Sequence, residues 1–195
     1  FKQRSVVLAP LLLLTISTQA YAECKVDEYI YRTNDDISGT YITLNALQSR
    51  ARNWNNETDR VTTCDVSQIT DLSRAFFYNR AFNQDLSQWD TSAVTNMRAM
   101  FYSARAFDQD LSQWDTSAVT DMYAMFYEAS SLTSVSLPHT SAVTNMYAMF
   151  YKASSLTSVS LPNTPAVTNM SSMFRYTSSL TSVSLSDTPA VTDMS

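Results

Sequence analysis

Glycine is almost missing from this chain of 195 residues, with Gly39 as its single instance. Glycine-rich phosphate loops are therefore excluded, and the turns have to be built from Asn, Asp, Ser and Pro. Histidine is equally scarce, because His139 stands alone, in a segment that predicts a surface turn. Without a second histidine or a cysteine from Val66 onward, the sequence offers no nucleophile–base pair. We expect no enzymatic activity and no cofactor.

Cysteine is limited to Cys24 and Cys64. In an exported protein the simplest interpretation is one structural disulfide between them, and two free thiols are the alternative. Two thiols and one histidine are a poor ligand set, so no metal site is expected.

The N-terminus has the layout of a cleavable signal peptide. Lys2 and Arg4 precede the apolar run VVLAPLLLLTI, and small residues at Ala20 and Ala22 form a cleavage site. We therefore predict a signal peptide at 1–22 and a protein that is secreted or held at the cell surface. A membrane anchor is the alternative, but the run is too short to cross a bilayer, so no transmembrane segment is expected.

Charge excludes another class of partner. The chain has 13 Lys and Arg against 18 Asp and Glu, giving a net charge of −5 and a pI near 4.7. Nucleic-acid binding needs a basic surface that this composition does not supply.

The C-terminal two-thirds of the chain repeats itself. A threonine recurs at spacings of 25, 24, 24 and 24, at Thr91, Thr116, Thr140, Thr164 and Thr188. An earlier and more degenerate copy begins at Val66. Such a period is typical of a solenoid whose units cannot bury their apolar faces alone. We predict a repeat array at 66–195, truncated in the last unit, behind an N-terminal capping region at 23–65.

Each unit combines two hydrophobic periods. In VTDMYAMFYEA, Met122, Met125, Phe126 and Ala129 fall at i, i+3, i+4 and i+7, which predicts one short helix. The segment Val135–Leu137 alternates like a strand and ends at a proline. The fold class is therefore α/β, with one short strand and one short helix per unit. The recurring Met and Phe columns predict core packing rather than a cofactor site.

The position just before each Met-rich segment is polar, and it holds Asp in some units and Asn in others. We call these equivalent residues the Asp/Asn column. Its members are Asp71, Asn96, Asp121, Asn145, Asn169 and Asp193. Asp and Asn are almost equivalent as helix N-caps, because both offer a side-chain oxygen to a backbone N–H. A row of metal ligands would need carboxylates throughout, so we predict helix N-caps.

The repeats resemble a known family. FNQDLSQWDTSAVTNMRAMF (Phe82–Phe101) resembles the BspA-like leucine-rich-repeat surface proteins of the DUF285 type, and SLTSVSLPNT (Ser155–Thr164) is similar to the BspA-type repeat itself. The resemblance spans Val66–Ser195. It implies a curved, leucine-rich-repeat-like solenoid, exported or displayed, that binds proteins, host matrix or cells. It carries no catalytic residues.

Two further sets of side chains have alternative interpretations. Asn83, Asp85, Asp108 and Asp110 offer oxygens for Ca²⁺ but lack the other features of an EF-hand loop, which favours solvated loops. Trp89 and Trp114 could be binding platforms. We predict instead that they are core residues whose indole N–H groups find partners.

The later units also predict a regular, neutral surface. If their strands stack in parallel, six serines form a hydroxyl grid, which is the candidate binding face: Ser134, Ser136, Ser158, Ser160, Ser182 and Ser184. We expect an adhesin-like protein that binds protein or glycan ligands at the cell surface. A structural protein that binds a lattice, ice or glycan, through this grid is the alternative. Because the chain starts at Phe1 and ends inside a unit, we also expect self-association through an uncapped last repeat.

Overall fold

A computed structural model describes residues 61–185 and 188–193 of the chain. Within these ranges a 3₁₀ turn spans Val61–Thr63, and three strands follow: β1 (Ser134–Ser136), β2 (Ser158–Leu161) and β3 (Ser182–Leu185). The predicted signal peptide, Cys24 and most of the predicted capping region lie outside the described residues. The described part is a stack of repeated units whose backbones run parallel.

The three strands form one parallel sheet in the order β1-β2-β3. Val135 pairs with Val159 and Val159 with Val183, so each strand is displaced from the next by one unit. Val135 and Val159 are buried, at 6% and 2% exposed, whereas Val183 on the edge strand is 44% exposed. The alternation of Ser and Val therefore sends serine outward and valine into the core.

The predicted helix is wrong for every described Met-rich segment, because these residues form a row of turns. In one unit the N–H groups of Met100 and Tyr102 donate to the carbonyls of Met97 and Ala99, three residues earlier. The intervening amides of Ala99 and Phe101 donate instead to the next unit, at 2.8 and 2.9 Å from the carbonyl oxygens. A helix would use all these amides internally. Here every second backbone amide donates a hydrogen bond to the next unit instead.

Residues with a positive φ recur at two fixed positions of the turn row. Their φ angles lie between 51° and 64°, and none of them is glycine. They are Arg74, Tyr78, Ala99, Ser103, Ala124, Glu128, Ala148, Lys152, Ser172 and Tyr176. A positive φ at the third position is what a type II turn requires. The expectation that Asn, Asp, Ser and Pro build the turns is thus incomplete, since Ala and larger residues occupy the left-handed positions.

The Asp/Asn column caps turns rather than helices, which corrects the predicted N-cap role. The side-chain oxygen of Asn96 accepts from the N–H of Arg98 at 3.0 Å, and that of Asp121 accepts from the N–H of Tyr123 at 2.8 Å. This is an Asx turn, in which the side-chain oxygen accepts from the backbone N–H two residues later, and it needs an oxygen rather than a charge. The same column forms parallel bridges from Asp71 through Asn96, Asp121, Asn145 and Asn169 to Asp193.

The core is a set of aligned columns. Phe126 stacks on Phe101 at 5.5 Å and on Phe150 at 5.6 Å between ring centroids, with the rings within 3° of parallel. Phe76 and Phe174 extend the column at 5.3 and 5.7 Å. Offset stacking of this kind adds roughly 0.5–1.5 kcal/mol per pair to the burial of the rings.

The recurring threonine that sets the repeat period is buried at Thr91, Thr116, Thr140 and Thr164, and it forms hydrogen bonds across units. The hydroxyl of Thr91 donates to the carbonyl of Asp115 at 2.9 Å, and that of Thr140 donates to the carbonyl of Asn163 at 2.7 Å. A buried hydroxyl without a partner would be destabilising, so each bond makes the position specific for threonine.

The first unit is covered by the end of the predicted capping region. Val61 is fully buried, and its carbonyl accepts from the indole N–H of Trp89 at 3.1 Å. Trp114 donates in the same way to the carbonyl of Leu86 at 2.9 Å. Both tryptophans are core residues, as predicted. Cys64 is also buried and is disulfide-bonded.

Candidate functional site

The six candidate serines form two straight rows across the sheet. Ser134, Ser158 and Ser182 are register partners in one row, and Ser136, Ser160 and Ser184 in the other. The serines of β1 and β3 are exposed and those of β2 are half-buried. Since parallel strands lie about 4.8 Å apart, the rows present hydroxyl groups at a regular interval.

A threonine ladder borders the serine rows. The hydroxyl of Thr157 donates to the carbonyl of Thr133 at 2.9 Å, and that of Thr181 donates to the carbonyl of Thr157 at 3.1 Å. In the preceding units Asp108 and Asn83 continue the line. Asp108 accepts from both the N–H and the hydroxyl of Thr133 at 2.9 Å, and Asn83 accepts from the N–H of Asp108 at 2.8 Å.

The side-chain oxygens considered as Ca²⁺ ligands accept hydrogen bonds from within the chain. Asp85 and Asp110 each accept from the backbone N–H two residues later, at 2.8 Å. The bond from the Ser87 backbone lowers the pKa of Asp85, and the hydroxyl of Ser92 lowers the pKa of Asp90. Within the part of the chain that the structure describes, no three His, Cys, Asp or Glu side chains gather around a metal-sized space. These carboxylates anchor turns.

A second threonine ladder runs along the opposite half of each unit. Its hydroxyls donate to the carbonyl one unit earlier at 3.1–3.2 Å, and all its members are exposed: Thr70, Thr95, Thr120, Thr144, Thr168 and Thr192. Thr70 supplies only the first carbonyl in this set of bonds. The hydroxyl reinforces a parallel N–H bond to the same oxygen. The column is therefore structural.

A row of aromatic rings on the surface was not anticipated. Tyr102, Tyr127 and Tyr151, called here the tyrosine ladder, stack with centroid distances of 4.4 and 4.6 Å and interplanar angles of 3° and 8°. Phe77 precedes the ladder, 5.0 Å from Tyr102, and Tyr176 meets Tyr151 edge-on at 5.3 Å. Burial against neighbouring rings raises the pKa of Tyr127 above its ordinary value.

A shorter row lies four residues earlier in each unit. Tyr123 and Tyr147 stack at 5.1 Å, and the guanidinium of Arg98 lies 3.8 Å from the centroid of Tyr123. The same guanidinium approaches Asp121 at 3.7 Å. Both rows were detectable in the sequence, because Tyr102, Tyr127 and Tyr151, and likewise Tyr123 and Tyr147, recur with the repeat period.

A charged cavity opens beside the tyrosine ladder. Its volume is about 400 Å³, and it is lined by Arg105, Glu128, Ser130, Lys152, Ser154 and Tyr176. Glu128 lies between the cations, with its two carboxylate oxygens 3.5 Å from Arg105 Nη2 and 3.5 Å from Lys152 Nζ. Burial opposes ionisation of Glu128, but the hydrogen bond from Ser103 and the two cations lower its pKa.

The remaining residues considered in the sequence are the single histidine and the two cysteines. His139 is exposed, and its carbonyl accepts the hydroxyl of Thr116. Cys64 is bonded, and Cys24, its expected partner, lies outside the described residues. No helix within the described ranges is long and apolar enough to cross a membrane.

These features define a repeat protein whose units stack in register and present rows of like side chains. The family model described as "Mycoplasma protein of unknown function, DUF285" matches residues 43–160 and 145–195. The chain belongs to this family. No curated protein matches it.

Proposed function

We propose that the chain is an exported, BspA-like leucine-rich-repeat surface protein that binds other proteins or matrix ligands in an adhesin-like manner. In this proposal the stacked units form a solenoid, and the segment 1–22 directs export. Repeat arrays offer extended binding surfaces without catalytic groups. Self-association through the last unit remains a separate prediction.

The tyrosine ladder is the observation that carries this proposal. Tyr102, Tyr127 and Tyr151 are each half-buried, and Arg98 lies over the neighbouring row. Tyrosine and arginine are the residue types enriched where protein interfaces gain most of their binding energy. Because each ring is held between two others, little side-chain entropy remains to be lost on binding.

We expect the double substitution Tyr102→Ala and Tyr127→Ala to weaken binding to an immobilised panel of extracellular-matrix proteins or to whole cells. Loss of two central contacts should reduce the affinity by about 30-fold or more, measured by surface plasmon resonance. The control is Thr120→Ala with Thr144→Ala, which changes two exposed residues of the second threonine ladder.

Two results would contradict this proposal. One is wild-type protein that binds neither the panel nor cells above a protein of equal charge. The other is equal loss in the tyrosine and threonine variants, which would point to a general effect on the stack.

The serine rows support a second candidate, binding to an ordered lattice of ice or glycan. Their in-register pairing gives equal spacing in one direction. We expect thermal hysteresis, or a signal on a glycan array, that disappears when Ser134→Lys and Ser158→Lys are combined. Ordinary freezing behaviour together with an empty array would exclude this candidate.

A further inference from the structure

We propose that the charged cavity binds an acidic sugar residue, one that carries a carboxylate or a sulfate. This goes beyond the proposed function, because it names an acidic sugar as the ligand and assigns it to residues outside the tyrosine ladder and the serine rows. The cavity is built across units: Arg105, Glu128 and Lys152 come from three successive copies, and Tyr176 from the fourth.

The cations retain hydrogen-bonding capacity toward the opening. Arg105 and Lys152 each contact Glu128 at 3.5 Å, and their side chains are 51% and 49% exposed. A guanidinium has five N–H donors and an ammonium three. One carboxylate cannot accept from all of them at these distances, so donors remain on both side chains that can bind a ligand.

Glu128 positions the cations rather than neutralising the cavity. Its side chain is 26% exposed and accepts from the hydroxyl of Ser103 at 3.1 Å, which holds it at the base. Two cations around one carboxylate leave a net charge of +1 in the cavity, within a chain of net charge −5. An anionic group is attracted to this local positive charge, and its binding should weaken in high salt.

The rest of the lining favours a sugar over a free anion. Ser130 and Ser154 offer hydroxyl groups, and the ring of Tyr176 is 56% exposed. A sugar ring has an apolar face that packs on an aromatic ring and a rim of hydroxyl groups that bond to serine. The volume of about 400 Å³ lies at the lower end of the range for small-molecule sites and accommodates one or two sugar rings.

The test is a calorimetric titration of the full chain with four probes at low and high salt. The probes are lactose, 6-sulfated lactose, a glucuronate-containing disaccharide and inorganic sulfate. We expect at least one acidic disaccharide to bind about tenfold more tightly than lactose, and more weakly in high salt. Which of the two binds identifies the anion as sulfate or carboxylate.

Substitutions of the two cations test whether the acidic disaccharide binds in the cavity. We expect Lys152→Gln and Arg105→Gln each to lower that affinity by about tenfold, since each removes a charge-assisted hydrogen bond. Lys152→Arg should retain most of it. The matched control is Arg80→Gln, which removes an exposed cation at the position of Arg105 one unit earlier, outside the cavity. Unchanged thermal midpoints exclude unfolding as the cause.

Several outcomes overturn the proposal. They are equal binding of lactose and the acidic disaccharides, no binding of either acidic probe, inorganic sulfate binding as tightly as the sulfated sugar, and an equal loss in Arg80→Gln. Because the tyrosine variants test protein binding separately, failure here leaves the proposed function standing.

Discussion

Replacement of Phe126 by alanine is expected to lower the free energy of unfolding by about 3–5 kcal/mol. The side chain is fully buried and stacks on Phe101 and Phe150 in the neighbouring units. Its removal leaves a cavity that the stack cannot close, because inter-unit backbone bonds fix the spacing on both sides. Urea denaturation followed by circular dichroism measures the loss.

The matched control is Phe174→Ala, at the end of the same column. Phe174 is only partly buried, and among the described residues its ring stacks only on Phe150. We expect a clearly smaller loss there, since less apolar surface returns to water. Equal losses at the two positions would contradict the view that neighbouring units bury one another.

The repeat period and the core columns could be predicted from the sequence because the buried positions hold apolar residues in successive units. The row of turns that replaces the expected helix could not be predicted in this way. Met122, Met125, Phe126 and Ala129 have the helical spacing and are all buried, as a helix would require. A row of consecutive turns brings the same residues to one side, and the amides that decide between the two structures carry no sequence signal.

The serine rows were predictable for the same reason as the core, since an alternating strand sends every second residue outward. The charged cavity was not. Glu128 and Lys152 occupy the same position in successive units, where the preceding unit has Ser103. The charges of the cavity therefore do not recur with the repeat period. Only the stacking of three units brings Arg105, Glu128 and Lys152 together.

The substitution Ala124→Val is expected to destabilise the fold by about 2–5 kcal/mol, the sum of overpacking and backbone strain. Ala124 has a φ of 52° and is 1% exposed. Its N–H donates to Tyr147 and its carbonyl accepts from Tyr127, so the backbone cannot rotate away from the left-handed region. A β-branched side chain is a genuine outlier at such a φ. Thermal and urea unfolding report the effect.

Ala129→Val separates the two contributions. Ala129 lies in the same unit and is fully buried, but it is not one of the residues with a positive φ. Overpacking alone should destabilise this variant by about 1–3 kcal/mol. The excess at Ala124, about 1–2 kcal/mol, then measures the additional strain that a left-handed position imposes on a β-branched residue compared with alanine. If the two variants lose equal stability, the backbone at Ala124 is free to relax, and the turn row is not held by its inter-unit bonds.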